Sequence, residues 1–424
     1  MRYVMARRRR QGGAVILTAA LLLLFLLGFM GIALDFGHLF IVKTELQTAM
    51  DSCALAAARE LDGQSTALTR ATSAGMNAGN QNRVNMQSAN WSGQGQIVAT
   101  DISFRDAAYA PTTVAAVARY AQCQHTQPNV TMWLMPAMGA FSGDTAGNPS
   151  TRSVAAMAVA TRASAQTTCP IPVALKPMPG GTAPNYGFTV GQWVTLINAQ
   201  NAAVGGEIGW ANLDGSNNAA ETEAELNGFC GTEVGDTLGT PGVQTSVADA
   251  WNARFGIYKN TSGPDQNRPD LTGYAYTAAN WPAAFNAYDG SPGPGAHASA
   301  QNYVTKRASY ASCADTGTQV RGANSCESIT GLSLNSFQKL ATPGPVAGGH
   351  MQYGQSRRIV TVPVINSANG VIDYACMLML QPLTVPMSNV QLEFRGNAGA
   401  LGSPCTTSGL PGGAAGPLVP VLVR

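Results

Sequence analysis

The chain has 424 residues with 25 Lys+Arg against 23 Asp+Glu, and charged residues make up only 11% of it. That near balance removes any broad electrostatic reason to bind nucleic acid. The low charge means the polar surface is built from Ser, Thr, Asn, Gln and backbone, and 47 Gly with 24 Pro point to many turns rather than a helical bundle.

Residues 1–13 form a basic segment whose cluster Arg7, Arg8, Arg9 and Arg10 precedes an uncharged run. Residues 14–34 contain Thr18 as their one polar side chain, and a helix of that length covers roughly 31 Å, the thickness of a bilayer core. The arginines hold the near end in the cytoplasm by the positive-inside rule, so the run reads as a single-pass transmembrane helix with the bulk of the chain outside. A cleaved secretory signal is the competing reading, but its apolar region is shorter, at about 7–15 residues. A prepilin-like leader ending at Gly12 or Gly13 is a third. The glutamate expected five residues into such a mature helix is absent, because Leu17 or Thr18 stands there.

Residues 35–63 extend the helix beyond the bilayer. Leu39, Val42, Leu46, Ala49, Cys53 and Ala57 recur at helical spacing, and Gly63 is a natural stop. The Ala-rich stripe permits close packing, either on the chain's own body or against a second helix as a helix-mediated oligomer. Residues 64–168 read as a small α/β module: a polar connection over 64–95, a strand at 97–104, a strand or short helix at 114–122, an apolar Met-aromatic cluster at 130–138 expected in a core, and a strand at 153–161. Residues 169–345 open with a Pro-rich junction. They read as a Gly- and aromatic-rich insertion with helices at 219–229 and 246–255, the second capped by Ser246. Residues 346–424 read as a C-terminal antiparallel sheet with strands at 359–365, 371–380, 390–394 and 418–423. The expected class is α+β: a transmembrane helix continued by a long helix, then a mixed α/β ectodomain.

Eight cysteines are scattered with no Cys-x-x-Cys pair, which excludes the usual zinc and thioredoxin spacings and favours disulfides in an oxidising compartment. Eight cysteines allow on the order of a hundred pairings. Cys313 with Cys326 closes a short loop, Cys376 with Cys405 and Cys169 with Cys230 are natural partners, and Cys53 faces either Cys123 or a second chain.

No catalytic constellation stands out. His38, His125, His297 and His350 lie far apart, with His38 at the outer membrane–water boundary where an ordinary polar residue needs no special role. Glu221, Glu223 and Glu225 read as a solvated helix face. Residues 214–218 resemble the start of a calcium loop but lack its later glutamate. No cofactor or metal is expected. Asn129 and Asn260 head glycosylation-type triplets that carry little weight.

The order Arg10-Gln11-Gly12-Gly13-Ala14-Val15, the leucine run, Gly31-Ile32-Ala33-Leu34-Asp35-Phe36-Gly37, then Thr44-Glu45-Leu46-Gln47-Thr48-Ala49-Met50-Asp51 and Ala54-Leu55-Ala56-Ala57-Ala58 resembles the N-terminal module of TadG-like proteins of the Flp (tight adherence) pilus assembly system. The resemblance implies a non-enzymatic structural component of pilus assembly involved in adherence. It would sit in the bacterial inner membrane with a periplasmic C-terminal domain and other envelope proteins as partners. Some TadG proteins carry a metal-dependent adhesion loop, Asp-x-Ser-x-Ser. Asp101-Ile102-Ser103-Phe104-Arg105 begins that way and ends in Arg. Two alternatives remain, a minor pilin-like subunit of the fibre and a tethered periplasmic enzyme built around Glu225, His297 or His350.

Overall fold

In the computed structural model, residues 12–85, 96–147, 149–200, 205–240, 247–259, 273–281, 283–290, 301–309, 319–323, 325–340 and 357–423 are described. The Arg7–Arg10 cluster, Ser246, Asn260, His297, Cys313 and His350 lie outside these residues. The chain divides into two compact units. Residues 1–162 with 420–424 make the first, and residues 163–419 make the second.

Unit 1 is organised by α1, a single helix over Gly12–Arg59. The expected transmembrane and extended helices are one element, because neither Asp35 nor Gly37 breaks a helix that Ala, Leu and Met favour on both sides. From Val15 to Met30 nearly every side chain is exposed, whereas Val42, Leu46, Ala49, Met50, Cys53 and Ala57 are buried. The Ala-rich stripe is thus covered by the chain's own body. It packs on α2, Ala67–Asn80, whose buried face is Ala67, Ala71, Gly75 and Gly79. These small residues set the close approach: a Cβ on Gly75 would stand 2.9 Å from Ile102 Cδ1 and 3.2 Å from Cys53 Sγ. Arg70 ties the turn by pairing with Glu60, at 3.0 Å, and with Asp62.

Behind the helices lies a four-stranded sheet in the order β1-β2-β3-β12. Its members are β1 (Ile102–Arg105), β2 (Tyr120–Thr131), β3 (Thr151–Ser164) and the last strand, β12 (Leu418–Leu422). A short apolar helix, α3, occupies Met135–Ser142 between β2 and β3. A disulfide joins Cys53 of α1 to Cys123 of β2. Residues 114–122 are divided between a single 3-10 turn at Ala115–Val117 and the start of β2. The C-terminal apolar strand does not join the preceding sheet. Its edge closes on β3 instead, where Val423 N–H donates to Val159 O at 2.8 Å, which shields an otherwise open apolar strand.

Unit 2 is a closed six-stranded barrel in the order β10-β11-β5-β6-β4-β9. Its strands are β4 (Val173–Leu175), β5 (Trp193–Gln200), β6 (Ile208–Trp210), β9 (Ile359–Ile365), β10 (Val371–Met379) and β11 (Val390–Asn397). The border expected at residue 345 between an insertion region and a β-rich region falls inside one barrel, because strands from both sides of it hydrogen-bond together. The pairings β9/β10, β10/β11, β11/β5 and β4/β6 are antiparallel, while β5/β6 and β4/β9 are parallel. Barrel walls that bury one face and part of the other explain the continuous apolar strands β9 and β10.

Around the barrel lie α4 (Ala219–Leu226), α5 (Val247–Ala253), α6 (Tyr303–Ser309) and α7 (Cys326–Thr330), with a small ladder of β7 (Ile257–Lys259) on β8 (Phe337–Leu340). Both helices expected in the insertion region exist but are shorter by a turn or less. Trp251, Phe255 and Val247 are buried with Trp210 and Leu392 in the main core. Disulfides join Cys169 to Cys230 and Cys376 to Cys405, and Cys326 is disulfide-bonded.

Candidate functional site

The strongest constellation outside the barrel stands where the apolar run of α1 ends. Asp35 is fully buried, and its carboxylate accepts from the backbone N–H groups of Trp133, Leu134 and Met135 at 2.8, 3.0 and 2.6 Å. Those are the groups a helix leaves unpaired at its start. A side chain nearly a hundred residues away thus caps α3, with the charge placed at the favourable end of its dipole. One turn further on, His38 stacks on Trp133 with ring centroids 4.5 Å apart and planes 9° from parallel. Its Nε2 meets Asn85 Oδ1 at 3.1 Å. His38 is therefore a packed member of a clamp rather than a bystander at the membrane boundary.

The Met-aromatic cluster divides. Met132 and Met135 are buried as expected of a core, but Trp133 and Leu134 are 51% and 39% exposed. Asp35 holds the backbone of 133–135 against α1, where Trp133 stacks on His38 and Leu134 lies beside Gly31 without being enclosed.

Deeper in unit 1, His125 Nδ1 meets Asp101 Oδ2 at 2.8 Å, so the residue that would open an adhesion loop is instead paired locally. Among the described residues no group of three or more His, Cys, Asp or Glu side chains is placed to hold a metal ion. The 214–218 loop is closed on itself: Ser216 N–H donates to Asp214 Oδ1 at 2.9 Å, and Ser216 Oγ donates to Glu221.

Glu225 is not on a solvated face. It is buried, and both oxygens accept from Leu213 N–H, at 2.9 and 3.0 Å, with a third bond from Asp214 N–H. Burial raises its carboxyl from 4.5 to about 7 against the pull of those donors. A raised folded-state value means the protonated form is favoured in the fold. Stability from this group is fully present below pH 4.5 and is lost as pH rises through about 7. The melting temperature of unit 2 is expected to fall across that window, and Glu225→Gln to flatten the fall. An unchanged pH profile in the variant would contradict the assignment.

Unit 2 also carries an open cavity of about 730 Å³. Trp193 and Phe285 supply aromatic surface, and Gln192, Gln381 and Gln391 supply amides. Trp193, one of its walls, is held from behind by Glu393, which is fully buried. The carboxylate pairs with Arg395 Nη1 at 2.8 Å and accepts from Trp193 Nε1 at 3.0 Å, Ala287 N–H at 2.6 Å and Tyr288 N–H at 3.1 Å. Burial raises the Glu393 carboxyl, while Arg395 and the N–H donors oppose that shift. Glu225 lines none of this cavity, so the carboxylate proposed for a tethered enzyme stands apart from it.

These features define a class: a protein with an N-terminal helix long and apolar enough to cross a membrane, joined to an α+β body by a buried carboxylate clamp. Residues 12–60, essentially all of α1, match the family model described as "Putative Flp pilus-assembly TadE/G-like". The likeness is confined to this N-terminal segment of the 424-residue chain. No curated protein and no solved structure matches it.

Proposed function

We propose that this protein is a membrane-anchored structural component of Flp pilus assembly that supports adherence and performs no catalysis. The observation that carries the reading is α1 itself, a TadE/G-like helix whose first half is bare and apolar and whose second half is built into the chain's own core. The N-terminus is cytoplasmic, held by Arg7–Arg10, and the body from residue 35 onward is periplasmic in the inner membrane. Disulfides in both units suit that oxidising side. The pairing of Cys313 with Cys326 belongs to the same reading. Partners are other pilus-assembly or envelope proteins. Any helix-mediated oligomer would use the bare run of α1, because the Ala-rich stripe is already covered.

Deleting the gene is expected to abolish surface pili and adherence, with restoration by the full chain. Normal piliation and adherence in the deletion strain would reject the role. A second reading, a minor subunit incorporated in the fibre, draws on the same bare helix, which would pack among other subunits. The mass of the mature N-terminus separates the two: an intact basic segment supports the anchor, and a start at Gly13 or Ala14 supports the pilin.

A further inference from the structure

We propose that α3 is a second membrane-contacting element, a short interfacial helix seated in the outer leaflet beside the transmembrane run. The proposal rests on the anchor reading of α1. Three contacts place it. Asp35 caps the start of α3 at the end of the apolar run. A Cβ on Gly31 would stand 3.0 Å from Leu134 Cβ, and one on Gly28 would stand 3.1 Å from Met138 Sδ. Gly28 lies two turns before Asp35, about 10 Å deeper along the helix axis. Residues 28–34 belong to the span, so α3 sits level with its outer part.

The chemistry of α3 fits that level. Residues 132–141 read Met-Trp-Leu-Met-Pro-Ala-Met-Gly-Ala-Phe, with no charge and no hydrogen-bonding side chain except the indole. Eight residues cannot span a bilayer, but an apolar segment that opens with Trp suits the interface. The first N–H groups of a helix are costly in lipid, and here the carboxylate already satisfies them. Trp133, Leu134, Ala137 and Ala140 are exposed in unit 1 and continue the bare surface of α1. That continuity selects a bilayer as the occupant. Asp144 limits the depth, since a carboxylate is expensive in hydrocarbon. The insertion is shallow, and the return through residues 142–147 stays among headgroups.

The test uses the full chain in phosphatidylcholine vesicles. Trp133→Phe supplies the background, and Ala137→Trp or Ala140→Trp in that background places a reporter on the exposed side of α3. Co-flotation with vesicles checks the anchor independently. In floated protein the introduced indole is expected to emit blue-shifted and to lose most of its emission to lipid brominated near the headgroup end of the acyl chains. It is expected to resist aqueous iodide. Quenching by iodide instead would overturn the proposal by placing α3 in water. Resistance to both quenchers in both variants would overturn it by showing a protein partner over α3.

Discussion

Asp35→Ala is expected to release the start of α3 and loosen the whole clamp at the end of the apolar run. Three backbone N–H groups would lose their only acceptor in a buried site, at about 1–3 kcal/mol each where no water replaces it. Partial relaxation at the part-buried Trp133 and Leu134 brings the local loss to about 3–5 kcal/mol. Hydrogen exchange read on peptides covering 132–142 should rise steeply, while peptides from the barrel keep their protection. Asp35→Asn retains one oxygen acceptor but turns an amide toward the N–H groups, so it should recover only part of the protection. Unchanged exchange in Asp35→Ala would show that the cap contributes little. Trp133 would also lose its stacking position on His38, so indole emission should shift in the same variant.

The second large effect is expected at Glu393→Ala. Removing one member of a buried pair costs about 3–5 kcal/mol, because the remaining charge stays out of water. Arg395 would keep Asn286 Oδ1, at 3.0 Å, the exposed Asp289, at 3.5 Å, and its place over the Tyr288 ring, but no buried carboxylate. The indole N–H of Trp193 and two backbone N–H groups would be orphaned at the same time. Chemical denaturation should show unit 2 destabilised by that amount. Combining Glu393→Ala with Arg395→Met should cost less than the sum of the two singles, since the uncompensated guanidinium is gone. Strict additivity would mean that the pair is not coupled.

The two sites share a design in which a buried carboxylate accepts from backbone N–H groups of a distant segment. Glu225 repeats it on a smaller scale. Each such carboxylate fixes a loop or helix start that has little core of its own: 133–135 by Asp35, 213–214 by Glu225, and 287–288 by Glu393. In a chain with 11% charged residues, few carboxylates are available. Those three bind backbone rather than forming surface ion pairs, which contribute little.

What could be read from the residues alone follows from one-dimensional physics. The span is written in consecutive uncharged positions, and the helix beyond it in the spacing of Leu46, Ala49, Cys53 and Ala57. The strands at 359–365 and 371–379 are written in runs of β-branched and apolar residues. The TadG-like segment was legible because its residues are contiguous. Tertiary structure alone decided the rest, since each remaining feature joins positions far apart in sequence. Closure of one barrel from strands on both sides of residue 345 depends on long-range pairing, which local propensity does not encode. The departure of Leu418–Leu422 to the sheet of unit 1 depends on which edge was left open. From the residues alone Asp35 is simply the first charge after the apolar run. Its role appears only when α3 returns to it, because an unpaired helix start and a buried carboxylate each cost energy alone and are satisfied only together.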